Sequence, residues 1–148
     1  CDAEREDPNA KVMHTEARRL ADEIIRQSGA YEALLVNAEG YITEGSRSNI
    51  FFVHGHHLIT PPDDAVLQGI ARKNILRICR REDIGVSIRK VHYRELPVFQ
   101  AAFLSGTTPK VLPIRYIEQY SYSTEQPLLK FLIRAYDQQV QAYVRNKK

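Results

Sequence analysis

The 148-residue chain is one domain's worth of sequence, long enough to bury a single core. A composition of 43% hydrophobic, 26% charged and 9% aromatic residues, with seven Gly and seven Pro, excludes disorder, collagen and coiled coil, and no apolar stretch nears the roughly 20 residues of a membrane span. The net charge of +3 comes from 21 basic and 18 acidic residues spread along the chain, so it marks no nucleic-acid footprint and names no partner.

Residues 12–27 carry Met13, Ala17, Leu20 and Ile24, with Ala21 and Ile25 beside them, at the three-to-four spacing of one helix face, and Gly29 is placed to end that helix in the left-handed conformation. Residues 32–37 and 41–43 read as a hairpin around Asn37-Ala-Glu-Gly40. Residues 49–53 and 57–60 read as a second strand pair around His54-Gly-His-His57, stopped by Pro61-Pro62. Residues 70–82 predict a helix with Ala71, Ile75, Ile78 and Cys79 inward and Arg72, Lys73, Arg77, Arg80 and Arg81 outward, closed by Gly85. Strands are predicted over 86–91, 101–104 and 111–117, with a helical turn over 93–99. A long amphipathic helix is predicted to start near Ser123 or Thr124, with Pro127 in its first turn. Hairpins and crossovers together predict one α/β domain, residues 1–148, with a mixed sheet and flanking helices.

Cys1 and Cys79 form neither a disulfide framework nor a zinc motif, so a reducing cytoplasm is the expected location. No signal peptide is visible, and the start on Cys with a polar run after it leads to the expectation that the chain is the C-terminal part of something longer. Chemistry is expected in three segments rich in glycine and hydroxyls at element ends: Thr43-Glu-Gly-Ser-Arg-Ser-Asn49, Leu67-Gln-Gly-Ile-Ala-Arg72 and Ser105-Gly-Thr-Thr-Pro-Lys110. In the second, Gly69 admits a close ligand approach, and the amides of Ile70 and Ala71 open a helix whose positive end suits a phosphate. Thr107 and Thr108 could add donors to the same anion.

These segments, with Glu32-Ala-Leu-Leu and Phe103-Leu-Ser-Gly-Thr-Thr-Pro-Lys-Val-Leu-Pro-Ile, resemble in order and spacing the class IV (fold type IV) aminotransferases, a family that includes branched-chain and D-amino-acid aminotransferases and aminodeoxychorismate lyase. The resemblance runs from about Lys11 to the C-terminus and covers only the larger, C-terminal domain of that fold, without the smaller N-terminal one. It implies pyridoxal 5'-phosphate held by Lys11 as a Schiff base, with Glu44 facing the pyridine nitrogen. It further implies Leu67 against the ring face, Gly69, Ile70, Ala71 and Thr107 around the phosphate, Ser48 and Asn49 in the loop after the acid, and Thr108 at the substrate carboxylate. Two departures stand out: Ala71 lacks the hydroxyl that several relatives carry, and His14 and Thr15 stand where many relatives have Asn and a bulky residue. The implied activity is transfer of an amino group from a branched-chain or D-amino acid to a 2-oxo acid such as 2-oxoglutarate, Lys11 moving the proton from the substrate Cα. A homodimer is expected, with small-molecule partners only, no nucleic acid and no membrane.

Two rival classes stay open at this point. The chain could be a lyase of the same family, or a non-catalytic remnant of the fold. A metal site at His54, His56 and His57 lacks an acidic or Cys neighbour, and a basic helix face at Arg72 to Arg81 is ordinarily just solvated.

Overall fold

A computed structural model describes residues 9–14, 20–45, 48–62, 69–106 and 111–146. Strand β1 (Asn9–Met13) is followed by helix α1 (Ala21–Ser28), β2 (Glu32–Val36), β3 (Tyr41–Gly45), β4 (Asn49–His54) and β5 (His57–Thr60). Helix α2 (Ile70–Arg81) leads into β6 (Gly85–Ile88), β7 (Val91–His92), a 3-10 helix (Tyr93–Val98), β8 (Ala101–Ser105), β9 (Val111–Pro113), β10 (Tyr116–Ile117), β11 (Tyr120–Ser121) and helix α3 (Pro127–Asn146). Among the described residues the strands form one sheet of order β11-β10-β1-β2-β3-β7 and a second of order β6-β5-β4-β8-β9. The α/β class and mixed pairing match the expectation: α1 connects parallel β1 and β2, and α2 connects parallel β5 and β6.

The two sheets face each other. Ala10, Leu34, Val36 and Ile42 of the first meet Ile50, Phe52, Ala102 and Leu104 of the second in one buried cluster. On the outer side of the first sheet, Met13, Ala33 and Leu35 pack against Ala21 of α1. The outer side of the second carries Phe51, Val53, Leu58 and Phe103 against Ala71, Ile75 and Ile78 of α2 and Leu128, Leu129 and Leu132 of α3. Strand period and face therefore assign alternate residues of each central strand to different layers.

Several expectations need correction. The helix expected over 12–27 is a strand at its start, since residues 9–13 pair with β2 and β10, and helix is described only from Ala21. Ala17 lies outside the described residues, and Leu20 is exposed. Local spacing cannot register the main-chain bonds that two neighbouring strands offer. The predicted strands 86–91 and 111–117 each split, their halves joining different sheets as the chain crosses at Arg89-Lys90 and at Ile114-Arg115. Helix α2 is closed by Glu82 and the left-handed Asp83 rather than by Gly85, which opens β6. Arg72, expected outward, is 1% exposed and donates from Nη2 to the Pro61 carbonyl at 2.8 Å, its length carrying the charge to a backbone acceptor.

The C-cap at Gly29 is as expected, left-handed with its amide donating to the Ile25 carbonyl. In the β2–β3 hairpin Asn37 Oδ1 accepts from the amides of Glu39 and Tyr41, and Gly40 takes φ +93° directly beneath the His92 ring. A Cβ there would collide with His92 Nε2. Gly40→Ala is therefore expected to cost about 2 kcal/mol or more, read as a lower urea midpoint with unchanged slope. Tyr122 ties the 3-10 helix down by donating to the Leu96 carbonyl at 2.6 Å, and burial pushes its phenol well above the ordinary tyrosine range.

Candidate functional site

The pairing register decides which of the chemistry-bearing side chains share a surface. Lys11 pairs with Ala33, Met13 with Leu35, and Leu35 with Glu44, so Lys11 and Glu44 stand on one face of the first sheet, the face under α1. They are two strands and two residue steps apart, which at ordinary sheet spacings is about 12 Å between α-carbons. Glu44 is 4% exposed. Lys11 is half-exposed, and its Nζ lies 3.7 Å from Oε1 of Glu118. Glu118 comes directly after β10 with a left-handed φ of +54°; its amide donates to the Ala10 carbonyl and its Oε2 accepts from the Val12 amide at 2.5 Å. The amine is thus held at the β1 edge by a carboxylate that is itself locked into the strand. Nothing in sequence singles out Glu118, because its role depends on β10 lying beside β1.

The turn from β3 into β4 is built around a second buried acid. Glu32, 2% exposed, accepts from Ser48 Oγ at 2.7 Å through one oxygen and from the Ala33 amide at 2.8 Å through the other. The Gly45 amide donates to the Ser48 carbonyl at 2.9 Å, and a Cβ on Gly45 would stand 2.6 Å from Ser48 Oγ. The Ser48 hydroxyl is therefore committed to shaping the loop. Glu32 was visible in sequence only as part of a motif, with no sign that it would anchor this turn.

Beyond that turn, Asn49 opens β4 opposite Ser105 at the end of β8. Both continue the row of Phe51 and Phe103, whose rings stack at 4.9 Å on the face that meets α2. Helix α2 begins there. Gly69 is its N-cap and gives it no side-chain cap, no acidic residue occupies its first turn, and Asn49 Oδ1 lies 3.0 Å from where a Cβ on Gly69 would be. The backbone has come as close to Asn49 as a residue without a side chain allows. Ile70 is exposed and Ala71 buried, and their amides are among the first four of the helix, which have no acceptor within it. Such an end attracts anions, and a phosphoryl group above all.

Leu67, Thr107 and Thr108 lie outside the described residues, as does Thr15. The remaining candidates gather around the β3–β4 connection: Glu44 before it, Ser48 and Asn49 within or after it, Gly69 to Ala71 against it, and Lys11 on the Glu44 face. Two grooves of about 310 and 340 Å³, which meet at His14 and Tyr93, are lined by none of these residues. His57 Nε2 is within 2.6 Å of Ser87 Oγ, and among the described residues no three His, Cys, Asp or Glu side chains gather as metal ligands would. Burial raises the Cys79 thiol to about 11, so it stays protonated and unreactive at neutral pH. Among the described residues no helix is long and apolar enough to cross a membrane.

A family model described as amino-transferase class IV matches residues 1–117. The chain is 33% identical over 107 residues to a Synechocystis protein named probable branched-chain-amino-acid aminotransferase, covering 72% of this chain and 35% of that protein. It is 34% identical over 90 residues to the branched-chain-amino-acid aminotransferase of Pseudomonas aeruginosa, covering 61% of this chain and 29% of that protein. The crystal structure of a branched-chain aminotransferase from Thermoproteus uzoniensis superposes with a TM-score of 0.80 at 27% identity, covering 88% of this chain and 50% of that one. The chain thus spans about a third of the length of the curated relatives and half of the solved structure.

Proposed function

The chain belongs to the class IV aminotransferase family, and on that premise we propose that it is the cofactor-holding part of a pyridoxal-phosphate-dependent transaminase that passes an amino group from a branched-chain amino acid to a 2-oxo acid. The single observation that carries this reading is the register that sets Lys11 and Glu44 on one face. The aliphatic substrate class comes from the names of the relatives.

The residues present fit the group. Helix α2 begins at a glycine that gives it no side-chain cap, which suits a phosphate, Glu44 is a buried acid suited to a ring nitrogen, and Lys11 is an amine on the same face as that acid. When bound, pyridoxal phosphate supplies an aldehyde carbon that takes up the substrate amine and a ring that draws electrons from the substrate Cα. Lys11 would hold the group through Nζ, and its amine, when free, would take the proton from the substrate Cα and return it to the carbon that had been the aldehyde. Glu44 holds a proton on the ring nitrogen, and its burial keeps water from competing for that contact. The amides of Ile70 and Ala71 would hold the phosphate and so restrict the movement of the bound group. To free its amine, Lys11 must leave the Glu118 carboxylate, which then remains tied to the Val12 amide.

Incubating the chain with pyridoxal phosphate, reducing with borohydride and mapping the modified peptide tests the reading. A single adduct on the peptide containing Lys11 is expected. An adduct spread over exposed lysines such as Lys73 and Lys130, or none at all, would overturn it.

A further inference from the structure

Ser105 is 1% exposed, and its Oγ has no hydrogen-bond partner among the described residues. A buried hydroxyl left unpaired is costly, and such groups in folded proteins mark a place where a partner is expected. Its position says where that partner sits. Ser105 is directly across from Asn49 on the β4–β8 ladder, so the two side chains share a face, and Asn49 Oδ1 lies 3.0 Å from where a Cβ on Gly69, the N-cap of α2, would stand. The last step of the β8 row therefore brings an unpaired hydroxyl beside the start of a helix whose first amides have no acceptor within the helix.

The geometry points to Ser105 as a further ligand of a phosphate monoester held at the α2 N-terminus, its hydroxyl donating to a phosphate oxygen alongside the amides of Ile70 and Ala71. This rests on the cofactor reading above and deepens it. Ser105 becomes the residue by which the site requires the phosphorylated form of its ligand, because a charge-assisted hydrogen bond from a buried hydroxyl is strong only to an anionic acceptor. The backbone amides are common to every sequence, whereas the hydroxyl is specific to this position.

The test tracks the Ile70 and Ala71 amide resonances of the 148-residue chain during titration with inorganic phosphate, pyridoxal phosphate and pyridoxal. Saturable shifts are expected with both phosphorylated probes and not with pyridoxal. Ser105→Ala should weaken both phosphorylated probes about tenfold, while Ser105→Thr, which keeps the hydroxyl, stays within about threefold of the parent. If the alanine variant does not fold, Ser105→Cys, of similar size but a poor donor, should show the same loss. Equal phosphate affinity in the parent and the variants without the hydroxyl would overturn the inference, as would amide shifts produced by pyridoxal alone. Phosphate binding that depends on Ser105 without an adduct on Lys11 would sink the transaminase reading and leave this one standing; an adduct on Lys11 with Ser105-independent phosphate binding would do the reverse.

Discussion

Lys11→Ala is expected to abolish the covalent adduct and, on the reading proposed above, to lower transaminase turnover by at least about 10³-fold. Two losses combine. The point of attachment disappears, and so does the base that moves the Cα proton, for which positioned proton transfer alone is worth about 10²–10⁴-fold. Lys11→Arg separates this chemistry from structure. Arginine keeps the positive charge 3.7 Å from Glu118 that the strand edge has adapted to, but it neither deprotonates nor attacks an aldehyde at working pH. The arginine variant should therefore melt like the parent and remain inactive. Because the Lys11–Glu118 pair is half-exposed, its own contribution to stability is small, and the alanine variant should fold as well. Turnover within tenfold of the parent in either variant would remove Lys11 from the mechanism.

Phe103→Ala carries the largest expected effect on stability. The ring is fully buried, stacks on Phe51 at an interplanar angle of 8°, and lies where β8 meets both α2 and α3. Emptying such a site costs about 3–5 kcal/mol, from lost transfer energy and the cavity left behind. For a domain of ordinary stability that is a third or more of the total. Phe103→Leu, which keeps most of the volume, should lose less than half as much. Urea midpoints with unchanged slopes would measure both. A loss under about 1 kcal/mol for alanine would mean that β8 does not pack under the helices as described. Phe103 is also two residues before Ser105 on the same row, so the alanine variant should loosen the end of β8 as well as the core.

Much of the candidate site was legible because the signals are local. The Thr43–Asn49 motif, the glycine before α2 and the amphipathic spacing of residues 70–81 depend on neighbours a few positions away, and local chemistry dictates turns, caps and helix faces. Gly29 as a left-handed cap and the paired runs around Asn37–Gly40 and His54–His57 were readable for the same reason. Where local spacing misled, a distant strand had the deciding role. Val12 and Met13 share enough helical spacing with the segment after them to extend a helix backwards, yet they continue a strand to which β2 and β10 offer main-chain partners on both sides. Residues 86–91 alternate like one strand and residues 111–117 read as another, and only the presence of two sheets breaks them at 89–90 and 114–115.

By itself, then, the order of amino acids determined the α/β class and the family resemblance and put forward Lys11, Glu44 and the Gly69 turn as candidates, since these rest on residue type and short spacing. Tertiary structure alone decided that Lys11 and Glu44 share a face, that Glu118 holds the amine, that Glu32 anchors the Ser48 loop and that Ser105 comes to lie across from Asn49. The physical reason is that strand register and long-range contact are set by how whole sheets bury their apolar faces, a quantity that no single segment of the chain contains.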